Sequence, residues 1–184
     1  MGAPEAGGVV SPVRRCHTAE LSADELTRAR ALMDASFDDF GDHDWEHGLG
    51  GMHALVEDDG VLVAHGSLVM RRLVAGGRSL RTGYVEAVAV APTHRGRGLG
   101  HEVMAALEAL APAYDLLALS SSDEGLPLYR SRGWTAWRGR TSVLGPTGVE
   151  PTPDDDGSVL VLGGPDGLDL DDDLACDWRE GDVW

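Results

Sequence analysis

Apolar side chains recur along this chain at two periods. Leu26, Ala29, Met33 and Phe37 lie three and four residues apart behind Ser22-Ala23-Asp24-Glu25, the spelling of a capping box, so a helix is predicted over 23–37. Two β-rich runs follow, 52–56 and 61–70, joined by the hairpin signal Glu57-Asp58-Asp59-Gly60. A third run, 80–91, succeeds Gly76-Gly77 in the same manner, and the three read as an antiparallel meander. Leu99, Val103, Leu107 and Leu110 make the core face of a second long helix ending near Pro112. Beyond it, 116–120 reads as a strand, 124–132 as a short helix closed by Gly133, and 141–144 and 158–162 as final strands. The stretches 145–157 and 163–173, rich in Pro, Gly, Thr and Asp, read as loops. This order predicts one mixed α/β domain without internal repeats.

Composition narrows the class. A chain of 184 residues buries a proper core as one domain, expected over 18–184 behind a flexible tail at 1–17 that lacks the basic and apolar parts of a signal peptide. No apolar stretch approaches the roughly 20 residues needed to span a bilayer, so no membrane partner is expected. Cys16 and Cys176 are far apart and neither has a neighbour at metal-ligand spacing, which points to reduced thiols and a cytoplasmic protein. With 31 acidic and 15 basic side chains the net charge is −16, which repels nucleic acid and favours a cationic or neutral partner. All 15 basic residues are Arg, so lysine Schiff-base chemistry and a P-loop lysine are excluded.

Candidate chemistry concentrates between Tyr84 and Gly100, where an apolar strand breaks at Pro92 and enters a glycine-rich turn that opens a helix. Gly96, Gly98 and Gly100 leave backbone N–H groups uncovered at a helix N-terminus, and Arg95 and Arg97 add positive charge, a combination that suits a phosphorylated ligand. Neither Gly-x-x-x-x-Gly-Lys nor Gly-x-Gly-x-x-Gly occurs in the turn. A flexible Arg-Gly loop without a ligand is the plainer alternative.

The pattern Arg95-x-x-Gly98-x-Gly100 after such a strand resembles the pyrophosphate loop of the Gcn5-related N-acetyltransferases. A closer resemblance spans the chain from about Thr18 to Trp184. Asp44-Trp45-Glu46-His47, Gly50-Gly51-Met52-His53-Ala54-Leu55, Gly83-Tyr84-Val85-Glu86, Leu119-Ser120-Ser121-Ser122, Ser131-Arg132-Gly133-Trp134, Pro153-Asp154-Asp155-Asp156-Gly157, Cys176-Asp177-Trp178-Arg179 and Gly181-Asp182-Val183-Trp184 are similar to the aminoglycoside 2'-N-acetyltransferases. The resemblance implies a single-domain α/β N-acetyltransferase fold with a central mixed, mostly antiparallel sheet flanked by helices. It implies acetyl-CoA as acyl donor, coenzyme A as product, and a cationic aminoglycoside as acceptor. Family members are often homodimers, although no apolar stripe here predicts one.

Acetyl transfer to an amine needs a base, because an aliphatic amine is mostly protonated at neutral pH. Glu86, on the strand that leads into the loop, is the candidate, acting directly or through a water as the resemblance implies; a carboxylate between Val85 and Val88 is costly unless used or paired. Tyr129 is the candidate acid for the leaving thiolate, since a phenol with an ordinary pKa near ~10 lies above a thiol near ~8.5 and can donate to the developing thiolate; simple packing against Leu126 and Trp134 is its alternative. By resemblance, backbone N–H groups of Val88, Ala89 and Val90 and the loop Arg95, Gly96, Arg97, Gly98, Leu99, Gly100 hold the cofactor. Likewise by resemblance, Asp39, Asp44, Glu86, the Ala87 backbone, Ser120, Asp154, Asp155, Asp182 and the Trp184 carboxylate contact the acceptor. Twelve acidic side chains against one Arg between Glu150 and Trp184 suit a polycation, whereas Asp171-Asp172-Asp173 reads as a solvated run.

Two other readings remain in view. His43-Asp44-Trp45-Glu46-His47 spells an inverted zinc-protease motif, but Gly41, Gly48, Gly50 and Gly51 leave no long helix to present both imidazoles, so no metal is expected. An acetyltransferase for another cationic amine, or a non-catalytic coenzyme A-binding domain, uses the same fold.

Overall fold

The computed structural model describes residues 10–184. Its elements, in chain order, are β1 (Arg14–His17), α1 (Ala23–Ser36), α2 (Asp42–His47), β2 (Met52–Asp58), β3 (Val61–Ala75), β4 (Arg78–Val90), α3 (Leu99–Glu108), β5 (Leu116–Ser120), α4 (Leu126–Ser131), β6 (Thr135–Ala136), β7 (Thr141–Gly145), β8 (Gly148–Pro151), β9 (Val159–Leu162) and β10 (Leu174–Asp177). Ser22 starts α1 by the expected reciprocal cap: its Oγ accepts from the Glu25 N–H at 3.2 Å and its own N–H donates to Glu25 Oε2 at 2.8 Å, a device worth about 1 kcal/mol. The meander β2–β3–β4 is antiparallel, as its turn signals predict. The strands form one sheet in the order β6-β9-β5-β4-β3-β10-β7-β8, with β2 paired along the first half of β3 and β1 paired along β2. Only the β4–β5 and β7–β10 pairings are parallel among the described residues.

β3 organises this sheet. At 15 residues it is long enough for one edge to pair with β2 over Val61–Leu68 and then with β10 over Leu73–Ala75. Helix α3 packs Leu99, Val103, Met104 and Leu107 on the half formed by β2, β3 and β4, in a cluster that also holds Leu68, Val85, Leu117 and Tyr129. A second cluster, with Leu73, Tyr84, Trp137, Val143, Leu174, Cys176 and Trp184, closes the other half without a long helix.

Several expectations are corrected. The tail does not extend to residue 17, because Arg14–His17 pairs with β2 and buries Cys16 between exposed neighbours; residues 1–9 of that expected tail lie outside the described residues. The acidic stretch after Leu162 runs into β10, a short segment that is a strand because β3 and β7 both offer it free edges. Residues 145–157 contain β8, paired with β7. The acidic run 171–173 is exposed, as expected; at the surface Asp171 holds Arg138 through both oxygens at 2.7 Å, and the Asp172 main-chain carbonyl accepts the Trp137 indole N–H at 2.7 Å.

Candidate active site

β4 and β5 pair only through Thr82–Tyr84 and Leu116–Ala118, yet β4 runs on to Val90 and β5 to Ser120. The two strands therefore part beyond Tyr84, and a cleft of about 820 Å³ opens at the split. Its lining joins the carboxylates of Glu86, Asp44 and Asp182 to Ser120, Tyr129 and Trp184, and continues along Val88 and Val90 to Arg95, Gly96, Gly98, Leu99 and Gly100. Most of the residues singled out in the sequence thus meet in one cavity. Asp39 is exposed after α1, outside the lining, and Asp154 and Asp155 sit on the turn before β9, also outside it. Asp155 is nevertheless close enough to Asp182 that burial first, and then this neighbour, push its carboxyl up. The Ala89 side chain packs away from the cleft, under α1, and Arg97 approaches Asp58 at 3.9 Å instead of lining the cavity.

The shape of β4 at the split comes from a bulge. The step from Glu86 to Ala89 faces the shorter step from Ser67 to His65 on β3, and Ala87 takes a φ of 50°, which a residue with a Cβ adopts only when its surroundings hold it there. The surroundings include an internal chain of donors that sequence reading missed. His65 Nδ1 lies 3.0 Å from the Ala87 carbonyl, His53 Nδ1 lies 2.9 Å from His65 Nε2, and Thr18 Oγ1 lies 2.7 Å from His53 Nε2. Burial pushes both imidazoles down to about 4, so each is neutral at pH 7 and carries one N–H. A carbonyl only accepts, so His65 donates from Nδ1 to Ala87, its Nε2 accepts from His53, and His53 accepts from the Thr18 hydroxyl.

The loop that follows β4 has the geometry of an anion seat. Gly96 and Gly98 take φ of 75° and 84°, and Gly98 precedes α3 with no side-chain cap, so the first N–H groups of a ten-residue helix stay available. Arg95 is braced across the cleft mouth by Glu124 at 3.1 Å. His94 anchors the loop from behind through Asp58 at 3.0 Å, a role hidden in the sequence because Asp58 belongs to a turn signal.

Tyr129 reaches the cleft from α4. Arg132 and the Trp134 indole N–H both hold Glu108 on α3, the latter at 2.8 Å, which fixes the end of α4. The Tyr129 ring meets Trp134 edge-on at 6.2 Å and lies so near Gly125 that a Cβ there would approach its Cε2 to 2.9 Å. Burial pushes its phenol up to about 12, so it is protonated at every working pH. Glu86 is largely buried beside Arg179, Arg71 and Tyr84. Burial raises its carboxyl, while Arg179 and then Arg71 oppose the rise. In α2, His47 is engaged with the Glu180 carbonyl at 2.7 Å, and no cluster of three metal-ligating side chains occurs among the described residues.

Comparison with known proteins agrees with this geometry. An aminoglycoside 2'-N-acetyltransferase of Mycolicibacterium fortuitum is 48% identical over 100% of this chain and 97% of its own length. A GNAT family N-acetyltransferase from Escherichia coli, solved in complex with CoA, superposes with a TM-score of 0.61 at 15% identity over 98% of this chain and 94% of that one. A longer GCN5-related N-acetyltransferase from Kribbella flavida matches 70% of this chain at TM-score 0.56 and 21% identity, and this chain spans only 34% of its length. The family described as Acetyltransferase (GNAT) family matches residues 16–134, the part that carries the split strands and the anion loop, and the chain belongs to that family.

Proposed function

We propose that this acetyltransferase moves the acetyl group of acetyl-coenzyme A to the 2'-amino group of aminoglycosides, and so confers resistance to them. The observation that carries the reading is the single cleft with an anion loop at one end, Glu86 and Tyr129 at the strand split, and the acidic Asp44 and Asp182 at the other end. The identity to the Mycolicibacterium fortuitum protein along its whole length supports the choice of acceptor. Arg95, Gly96, Gly98 and Gly100 suit the diphosphate, and the bulged backbone at Val88 suits the thioester carbonyl. Two unpaired, buried cysteines fit a cytoplasmic setting.

Acetyl-coenzyme A supplies the thioester when bound. Glu86 takes the proton of the acceptor ammonium, directly or through one water, so that the amine nitrogen can form its bond to the acetyl carbon as the carbon–sulfur bond breaks. Tyr129 donates a hydrogen bond to the departing sulfur. Burial pushes the phenol up to about 12, above a thiol near ~8.5, so it is protonated as the thiolate forms and is the group placed to donate to it. Tyr129→Phe is therefore expected to lower kcat by about 10²-fold at unchanged KM for acetyl-coenzyme A, and a kcat within threefold of the parent would remove Tyr129 from the chemistry.

Release of free thiol from acetyl-coenzyme A tests the activity itself. It should proceed with kanamycin, tobramycin or gentamicin, and far more slowly with a lysine-containing peptide or a polyamine. Equal rates with the polyamine would favour a general cationic amine as acceptor, and no release with any aminoglycoside would overturn the reading.

A further inference from the structure

Arg179 is a cation built into a site that takes cations. It follows β10 on the terminal strap 178–184, and its guanidinium is engaged in three directions. Nη1 donates to Glu86 Oε1 at 2.5 Å, Nε to the Asp182 carbonyl at 2.9 Å, and Nη2 to the main-chain oxygen of Trp184 at 3.0 Å. The guanidinium carbon also lies 5.6 Å above the Tyr84 ring. Arg179 and Glu86 are each only 14% exposed, so the pair is shielded from solvent and from salt screening.

The strap is pinned from three further sides. The Trp184 ring is buried and its Nε1 donates to Thr152 at 2.8 Å. His47 on α2 meets the Glu180 carbonyl at 2.7 Å. Gly181, at a φ of 76°, approaches His43 so closely that a Cβ would come within 2.7 Å of it. Arg179 is the one side chain among these that joins the strap to Glu86.

We propose that Arg179 is a positioning residue for acetyl transfer: it holds Glu86 by one oxygen, leaving the other for the acceptor amine or its bridging water, and clips Asp182 and Trp184 into place against the cleft. The proposal rests on the reading of Glu86 as base. A lysine ammonium cannot reproduce it, because it lacks the planar fork that reaches one carboxylate and two main-chain oxygens together.

The charges that face Glu86 set its pH behaviour. They are Arg179 and Asp182 from the strap and Arg71 from β3; the Tyr84 phenol on its own strand is buried and neutral. His47 from α2, which burial holds below its usual value, faces Arg179. Without Arg179, burial and Asp182 act on Glu86 with only Arg71 opposing, so its carboxyl must titrate higher.

The test is the pH profile of kcat/KM for an aminoglycoside such as tobramycin, with acetyl-coenzyme A saturating, in Arg179→Gln and Arg179→Lys. Arg179→Gln should move the acid limb up by about one pH unit and raise the acceptor KM. Arg179→Lys should keep the limb near its parental position, because the charge remains, and still raise the acceptor KM, because the fork is lost. KM for acetyl-coenzyme A should stay put in both, which a general loss of structure would not allow. An unmoved limb in Arg179→Gln, or an unmoved acceptor KM in Arg179→Lys, overturns the proposal. Glu86→Gln separates the two levels: an active Glu86→Gln enzyme defeats the base assignment, whereas an inactive one beside an unshifted Arg179→Gln profile defeats only the role of Arg179.

Discussion

Glu86→Gln is expected to lower kcat by roughly 10²- to 10⁴-fold, the range that a positioned base contributes. The amide matches the carboxylate in size and keeps the cleft's shape, but it accepts no proton at any working pH. The partners of Glu86 make the comparison sharp. Burial raises its carboxyl, while the Arg179 and Arg71 guanidiniums oppose the rise. The loop that suits the diphosphate begins beyond Val90, at the far end of β4, so KM for acetyl-coenzyme A should change little. A stability cost is expected as well, because Arg179 then faces a neutral amide in a shielded site. Assays should therefore run well below the variant's Tm, with rates from single-turnover thiol release. A variant that keeps more than a tenth of the parental kcat would show that the proton leaves by another route.

The second large effect concerns stability in mild acid. His53 and His65 are about 1% exposed and both are pushed down to about 4, whereas in the unfolded chain each titrates near its ordinary 6.5. Between those values the unfolded chain binds protons that the folded rings refuse, so stability is greatest above 6.5 and falls as pH drops toward 4. A displacement of this size amounts to about 3 kcal/mol for one ring and roughly 3–6 kcal/mol for the pair. That is a large share of the 5–15 kcal/mol typical of a whole domain. Glu86 works in the opposite direction in the lower part of the window, since its carboxyl is raised in the folded protein. Urea unfolding at pH 7.5, 6.5, 5.5 and 4.5 measures the balance. A level unfolding free energy across those points would mean that the two rings titrate as free histidine does.

Local signals reached far into the fold. The capping box located the start of α1 to the residue, and the glycine pair at 76 and 77, with φ of 54° and 72°, turned β3 into β4 as the pattern required. The elements that escaped are those whose identity depends on an edge supplied from elsewhere. β1, β8 and β10 are four residues each, too short for a period to show, and become strands only beside β2, β7 and β3. Helix α2 is six residues between glycines and carries no periodic signal.

The same division holds in the candidate site. Glu86, Tyr129 and the loop 95–100 carry their chemistry in residue type and local order: a carboxylate in an apolar strand, a phenol after a strand, and glycines opening a helix. Sequence by itself determined these candidate groups and the acidic character of the terminal stretch, because backbone freedom, charge and period are properties of neighbours along the chain; the family was legible only as a resemblance of motifs spread along it. Tertiary structure alone decided where β4 parts from β5, that a bulge turns Ala87 toward the cleft, and that His65, His53 and Thr18 hold it there from three separate segments. It also decided that Arg179, 93 residues beyond Glu86, is its ionic partner. Contacts of that separation arise when a 15-residue strand offers one edge first to β2 and then to β10, an arrangement set by competing strand edges, on which no local window of sequence reports.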